Sequence, residues 1–264
     1  LVWYFRRKMM KPLHKTFLAM TVAGLMTGFS AHAEQVHTIV LVHGAFADGT
    51  ASWEQVIPAL QSRHYEIITA QIPLTSLKDD VEVTERAIAR AKGDVILVGH
   101  SWGGTVITQA GNNPRVKGLV YINAFAPSAG QSTADLVKSF PAPPGSAKIV
   151  KGADGFLSLP ASAIASDFAQ DATPEAQNIV GITQVPIRAS SFDEKVTKAA
   201  WETKPSWFLV GSKDRMINPD LERAMAKKIH AHVTELPVSH VPMLYDPKNV
   251  ARTIFKAVNI TSGN

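Results

Sequence analysis

The chain contains no cysteine in its 264 residues. That absence excludes disulfide staples, thiolate nucleophiles and sulfur-ligated metals, so stability has to come from burial of apolar surface. There is no internal repeat, low-complexity tract or heptad, which excludes solenoid and coiled-coil architectures. A metal-ligand cluster and a phosphate-cradling glycine loop are also missing, so the sequence implies no metal and no cofactor. A membrane-length apolar run is missing too. Phe17 to Phe29 is apolar, but a spanning helix needs about 20 residues.

That short run has a different reading. Arg6, Arg7, Lys8, Lys11 and Lys15 precede it without any acidic residue, and Ala31-His32-Ala33 follows it as a small-x-small cleavage signature. A start at Met9 or Met10 would still leave a basic segment ahead of it. The pattern predicts a signal peptide over residues 1–33 and a mature chain over 34–264, periplasmic or secreted, with no stable membrane anchor after cleavage. With five cations in the leader, the remaining 22 basic residues balance the 22 acidic ones. The sequence pI of about 9.4 therefore belongs to the leader and gives no support for nucleic-acid binding. The mature part is long enough for one domain with a substantial core.

Within it, short apolar runs alternate with amphipathic stretches. Strands are predicted at Thr38–Val42, Glu66–Ala70, Val95–Val98, Gly118–Ile122, Trp207–Val210 and Val233–Leu236. Helices are predicted over Trp53 to Leu60, Leu77 to Ala91, Thr105 to Ala110, Pro219 to Ile229 and Val250 to Val258. This alternation argues for an α/β class, a doubly wound, mostly parallel sheet with both faces covered. Residues from about 125 to 204 break the rhythm, with Pro141-Ala-Pro-Pro-Gly145 as the clearest punctuation. They are too long for a plain connection and read as a small cap inserted over the sheet.

Gly99-His100-Ser101-Trp102-Gly103 stands where a strand gives way to a helix, the context of a nucleophile elbow. A hydroxyl needs a base, and the base needs a carboxylate to hold its tautomer. Among nine histidines, His240 opens a loop after the last strand, at the edge where doubly wound sheets assemble sites. Asp214 follows the penultimate strand, and its rivals are weaker: Asp220 at a helix start, Asp246 as a helix cap and Glu235 within a strand. No carboxylate follows Ile122, where Asn123 and Ala124 stand. The backbone N–H groups of Trp102 and Ala45, the latter freed by a turn at Gly44, are the candidate oxyanion donors. His43 reads as a structural hydrogen-bonding residue.

These segments, His43-Gly-Ala-Phe46, Gly99-His-Ser-Trp-Gly-Gly104, Lys213-Asp-Arg-Met-Ile-Asn-Pro219 and Ser239-His240, resemble the α/β-hydrolase superfamily. More narrowly, they are similar to small bacterial esterase-like hydrolases, a branch related to plant methylesterases and hydroxynitrile lyases. The resemblance implies an α/β-hydrolase fold with Ser101 as nucleophile, His240 as base and Asp214 as acid. It implies a small-molecule ester as substrate. Cofactor-free haloperoxidase, perhydrolase or lactonase activity on the same triad is the alternative, and a ligand-binding protein with vestigial hydrolysis is another. Val241 stands where hydroxynitrile lyases carry lysine, which argues against cyanohydrin cleavage. Phe46, Met216, Ile217, Val241 and Met243 are candidates to line an acyl or alcohol site, with Phe125, Phe156 and Trp201 as further cap candidates. Core packing is the competing reading for each.

Overall fold

A computed structural model of the chain describes residues 38–261; the predicted leader and cleavage site lie outside them. Nine strands form among the described residues: β1 (Thr38–Val42), β2 (Glu66–Ala70), β3 (Val95–Ser101), β4 (Val116–Ala124), β5 (Val150–Lys151), β6 (Phe156–Ser158), β7 (Ile187–Arg188), β8 (Ser206–Gly211) and β9 (His232–Leu236). Six of them build one parallel sheet in the order β2-β1-β3-β4-β8-β9. Every residue of β1 and β3 is buried. Successive side chains of a strand face opposite sides, so such runs need cover on both faces. The helix Trp102–Ala110 packs on β3 and on the helix Leu77–Arg90, while the helix Pro247–Thr261 packs on β4 and β8.

This order positions the site. From β1 the chain runs outward to β2, then returns across β1 to build β3, β4, β8 and β9 in the other direction. Loops leaving β1 and β3 therefore diverge, and a crevice opens at the C-terminal edge of the sheet.

One helix prediction needs correction. The stretch from Trp53 to Leu60 is not one helix but two short ones, Gly49–Trp53 and Ile57–Gln61. Pro58 has no N–H to donate one turn back and fits only the start of a new helix. The helix Leu77–Arg90 buries Leu77, Asp80, Thr84, Ala87 and Ile88, so an aspartate faces inward.

The expected insertion is present between β4 and β8. It consists of short helices (Thr133–Val137 and Pro174–Thr183 among them), a π-helical turn at Ile164–Phe168, and an antiparallel β5-β6-β7 sheet. Strands of two or three residues carry no readable periodicity, which is why the sequence did not announce that sheet. No helix among the described residues is long and apolar enough to cross a membrane.

Candidate active site

β3 ends at Ser101 with φ 53° and ψ −119°, a region that L-residues other than glycine rarely enter. Its glycine neighbours make the turn possible. A Cβ on Gly99 would lie 2.5 Å from the Gly103 carbonyl oxygen, and one on Gly103 would lie 2.7 Å from the carbonyl oxygens of Val42 and His43. Any larger residue would push β1 off the elbow. The helix Trp102–Ala110 starts at once, so its first N–H groups have no intrahelical acceptor.

Three side chains far apart in sequence meet here. The Ser101 hydroxyl faces His240 Nε2 at 3.0 Å, and His240 Nδ1 lies 2.7 Å from Asp214 Oδ2. The carboxylate partner assigns the proton to Nδ1 and leaves Nε2 free to accept from the hydroxyl. Asp214 sits in a tight turn after β8, its own N–H donating to Gly211 O at 3.0 Å. Its Oδ1 accepts the N–H groups of Met216 (2.7 Å) and Ile217 (2.9 Å), and its Oδ2 accepts Asn123 Nδ2 at 3.2 Å. Burial alone would push this carboxyl up. The facing His240 and hydrogen bonds from His240, Glu222 and the Ile217 N–H outweigh burial and hold it below the usual carboxylate range.

The loop after β1 supplies a second feature. The Phe46 N–H is taken by Val185 O at 3.3 Å, whereas no acceptor among the described residues takes the Ala45 N–H. His43 is structural, as expected: Nδ1 donates to Gly44 O at 2.9 Å and Nε2 accepts the Ile72 N–H at 3.1 Å.

Ser101, His240 and Ala45 open on a cavity of about 290 Å³. Phe46, Met216 and Ile217 line it as expected, and so does Phe125. Val241 and Met243 do not. Val241 precedes the short helix Pro242–Tyr245, which turns away from the cavity, and both side chains are buried in the core. The Trp102 indole also points elsewhere, donating to Asp80 Oδ2 at 2.7 Å. Phe156 lies under the Arg188 guanidinium and Trp201 donates to Pro127 O at 2.8 Å, so neither lines the cavity. The insertion instead contributes Ala134, Val137, Phe140, Leu157 and Phe192. No Lys, Arg, Asp or Glu lines the cavity.

Several carboxylates at the site escaped sequence reasoning. Asp171 accepts the Ser239 N–H at 2.7 Å and also its hydroxyl, pinning the residue before His240. Asp167, fully buried, binds Arg215 Nε at 2.7 Å and Lys148 Nζ at 2.5 Å, tying the insertion to the acid loop. Asp80 accepts the Leu74 N–H at 2.7 Å besides the Trp102 indole, and burial pushes its carboxyl up to about 6. Asn123 had been passed over for lack of a carboxylate. It serves as a donor, to Asp214 and to Ser239 O (2.8 Å), with its backbone held at φ 41°. The rivals to Asp214 lie where expected: Asp220 in the first turn of the helix Pro219–Lys228, Asp246 accepting the Asn249 N–H, and Glu235 in β9 paired with Arg223.

His100 stands behind His240, with Nε2 donating to the His240 carbonyl oxygen at 2.8 Å and the rings 4.8 Å apart. Burial first, and then the adjacent His240, push its pKa down to about 3. The unfolded chain binds that proton at about 6.5, so stability falls as pH drops from there toward 3. His100→Gln keeps a donor for the carbonyl but cannot titrate. It is expected to flatten the fall in urea midpoint between about pH 6.5 and 4; a slope equal to the wild type's would contradict this account.

A carbendazim-hydrolysing esterase of Nocardioides sp. is 32% identical over 127 residues, covering 43% of this chain and 52% of that protein. A crystal structure of a pyrethroid hydrolase from Sphingobium faniae superposes with a TM-score of 0.73 at 23% identity, over 86% of this chain and all of that one. Polyneuridine aldehyde esterase gives a TM-score of 0.71 at 18% identity, over 84% of this chain and 99% of that one. The alpha/beta hydrolase family model matches residues 39–253, and the chain belongs to that family.

Proposed function

We propose that this chain is an exported serine hydrolase of small to medium, uncharged carboxylic esters. The observation that carries the reading is the Ser101–His240–Asp214 hydrogen-bond chain opening on a cavity with no charged lining residue of the Asp, Glu, Lys or Arg kind. In the proposed reaction His240 Nε2 takes the Ser101 proton as Oγ attacks the acyl carbonyl. Asp214 stabilises the imidazolium, and the tetrahedral oxyanion accepts from the Ala45 and Trp102 N–H groups. Collapse expels the alcohol, which takes the proton from His240. Water then repeats the sequence in reverse on the acyl-enzyme, with His240 again as base, and releases the acid.

The lining supports the substrate class. Charged groups buried without a partner are costly, so a peptide or a dicarboxylate would fit this cavity poorly. A neutral ester loses little on entering and gains from Phe46, Phe140, Leu157 and Phe192. Relatives named as an esterase and a pyrethroid hydrolase support the same class.

Four outcomes test the reading. Ser101→Ala is expected to remove turnover of p-nitrophenyl butyrate and labelling by a fluorophosphonate; retention of more than about 1% of the rate would remove Ser101 from its role. Labelling of the wild type without turnover on a broad ester panel would favour a ligand-binding protein instead. Ala134→Phe fills part of the cavity, so the octanoate-to-acetate rate ratio should fall by about tenfold, and an unchanged ratio would place the acyl chain elsewhere. For export, intact-mass analysis of protein recovered from the periplasm or medium is expected to give a chain beginning at Glu34; a full-length mass there would refute cleavage after Ala33.

A further inference from the structure

Glu222 is a buried acid for which the triad chemistry has no use. It stands in the first turn of the helix Pro219–Lys228, which Asn218 caps, and its side chain is fully buried. Its Oε2 accepts the Gly211 N–H at 3.3 Å, at the end of the strand that leads into Asp214. Its Oε1 is also buried, and no N–H or O–H donor among the described residues reaches it. The carboxyl does have a neighbour: Glu222 and Asp214 meet at Gly211, whose N–H the first accepts and whose carbonyl oxygen takes the N–H of the second, and the Asp214 charge acts on Glu222 across this buried site.

Two carboxylates cannot share one dry site as anions. A cation could resolve the conflict, but Arg223 next in sequence is directed outward, its guanidinium bound to Glu235 and Asp220. A proton resolves it. Carried by the otherwise unpartnered oxygen, the proton turns that atom into a donor and gives Asp214 a further hydrogen bond.

We propose that Glu222 is a positioning residue for Asp214, a neutral acid that donates its proton to the carboxylate of the triad. Asp214 is then enclosed by donors: two backbone N–H groups, the Asn123 amide, the His240 ring and the Glu222 hydroxyl. Burial and the negative charge of Asp214 both raise the Glu222 pKa far above the usual range, consistent with that protonation. The other titratable groups around the pair are His240, bonded to Asp214 Oδ2, His100 against the His240 ring, and Arg223.

The inference rests on the serine-hydrolase reading for its kinetic arm only, and the test separates the two. On the full chain, Glu222→Gln copies the neutral acid, since its amide oxygen accepts from Gly211 and its NH₂ donates to Asp214. Glu222→Leu removes both bonds. The first readout, taken at pH 8 where Asp80 is ionised, is the infrared carbonyl band of a protonated carboxylic acid, expected in the wild type and absent from Glu222→Gln. The second is the pH profile of fluorophosphonate labelling at Ser101. Glu222→Gln should label within about twofold of the wild type with an unmoved acid limb. Glu222→Leu should label about tenfold more slowly, with the limb moved to higher pH, because Asp214 then presents more charge to the imidazole. An acid limb moved to lower pH in Glu222→Gln would mean that a negative charge had been removed, and would overturn the proposal. So would a missing infrared band, or a wild-type profile in Glu222→Leu. If Glu222→Leu does not fold, the band and the Gln profile decide. A wild type that is never labelled counts against the hydrolase reading, while the band still decides the state of Glu222.

Discussion

A single buried carboxylate organises the C-terminal edge of this sheet. Asp214 lies in a site with almost no access to water, and a desolvated anion is tolerated only when donors replace its hydration. Those donors come from separate parts of the chain. The turn after β8 gives the Met216 and Ile217 N–H groups, the end of β4 gives the Asn123 amide, and the loop after β9 gives the His240 ring. Meeting them fixes where three strands may end. Once the carboxylate is enclosed, the imidazole has one orientation, and its other nitrogen reaches the Ser101 hydroxyl. The strain stored at Ser101 is sustained by the same packing, because β1 and the elbow touch where only glycine fits.

The insertion is more than a roof. Its π-helical turn brings Asp167 and Phe168 to the site together, and Asp171 follows just after. Asp167 grips Arg215 on the acid loop, Asp171 grips Ser239 beside the histidine, and Phe168 sets its ring edge-on against His240 at 5.1 Å. A π-turn shifts the side-chain register within one short segment, and here it lets one stretch of chain reach both the Asp214 and the His240 loops. Cavity shape and loop position are thereby linked: the residues that wall the pocket hang from the element that holds the acid and histidine loops in place.

Much of this was legible beforehand. β1 and β2 fall where the apolar runs put them: β1 is buried on both faces and reads as an unbroken run, while β2, half-buried at the sheet edge, is still marked by Ile67 and Ile68. Ser101, Asp214 and His240 could be chosen because each sits just past a recognisable strand, and strand ends converge in this topology. Val241 and Met243 were misplaced for a related reason. Proximity in sequence to His240 says nothing about which way the next turn faces, and Pro242 starts a helix that carries both into the core. Asp80 and Glu222 were passed over because an acid on an amphipathic helix ordinarily faces water, and no local pattern marks the ones that do not.

The sequence by itself determined the sheet, the elbow and the identity of the three converging side chains, because these depend on local periodicity and on residue types with one physical use. The tertiary structure alone decided the insertion's share of the cavity wall, the clamp of Asp167 and Asp171, and the burial of Glu222 beside Asp214. Those depend on which atoms meet across long stretches of chain, and on how much water their meeting excludes, which short-range pattern does not encode.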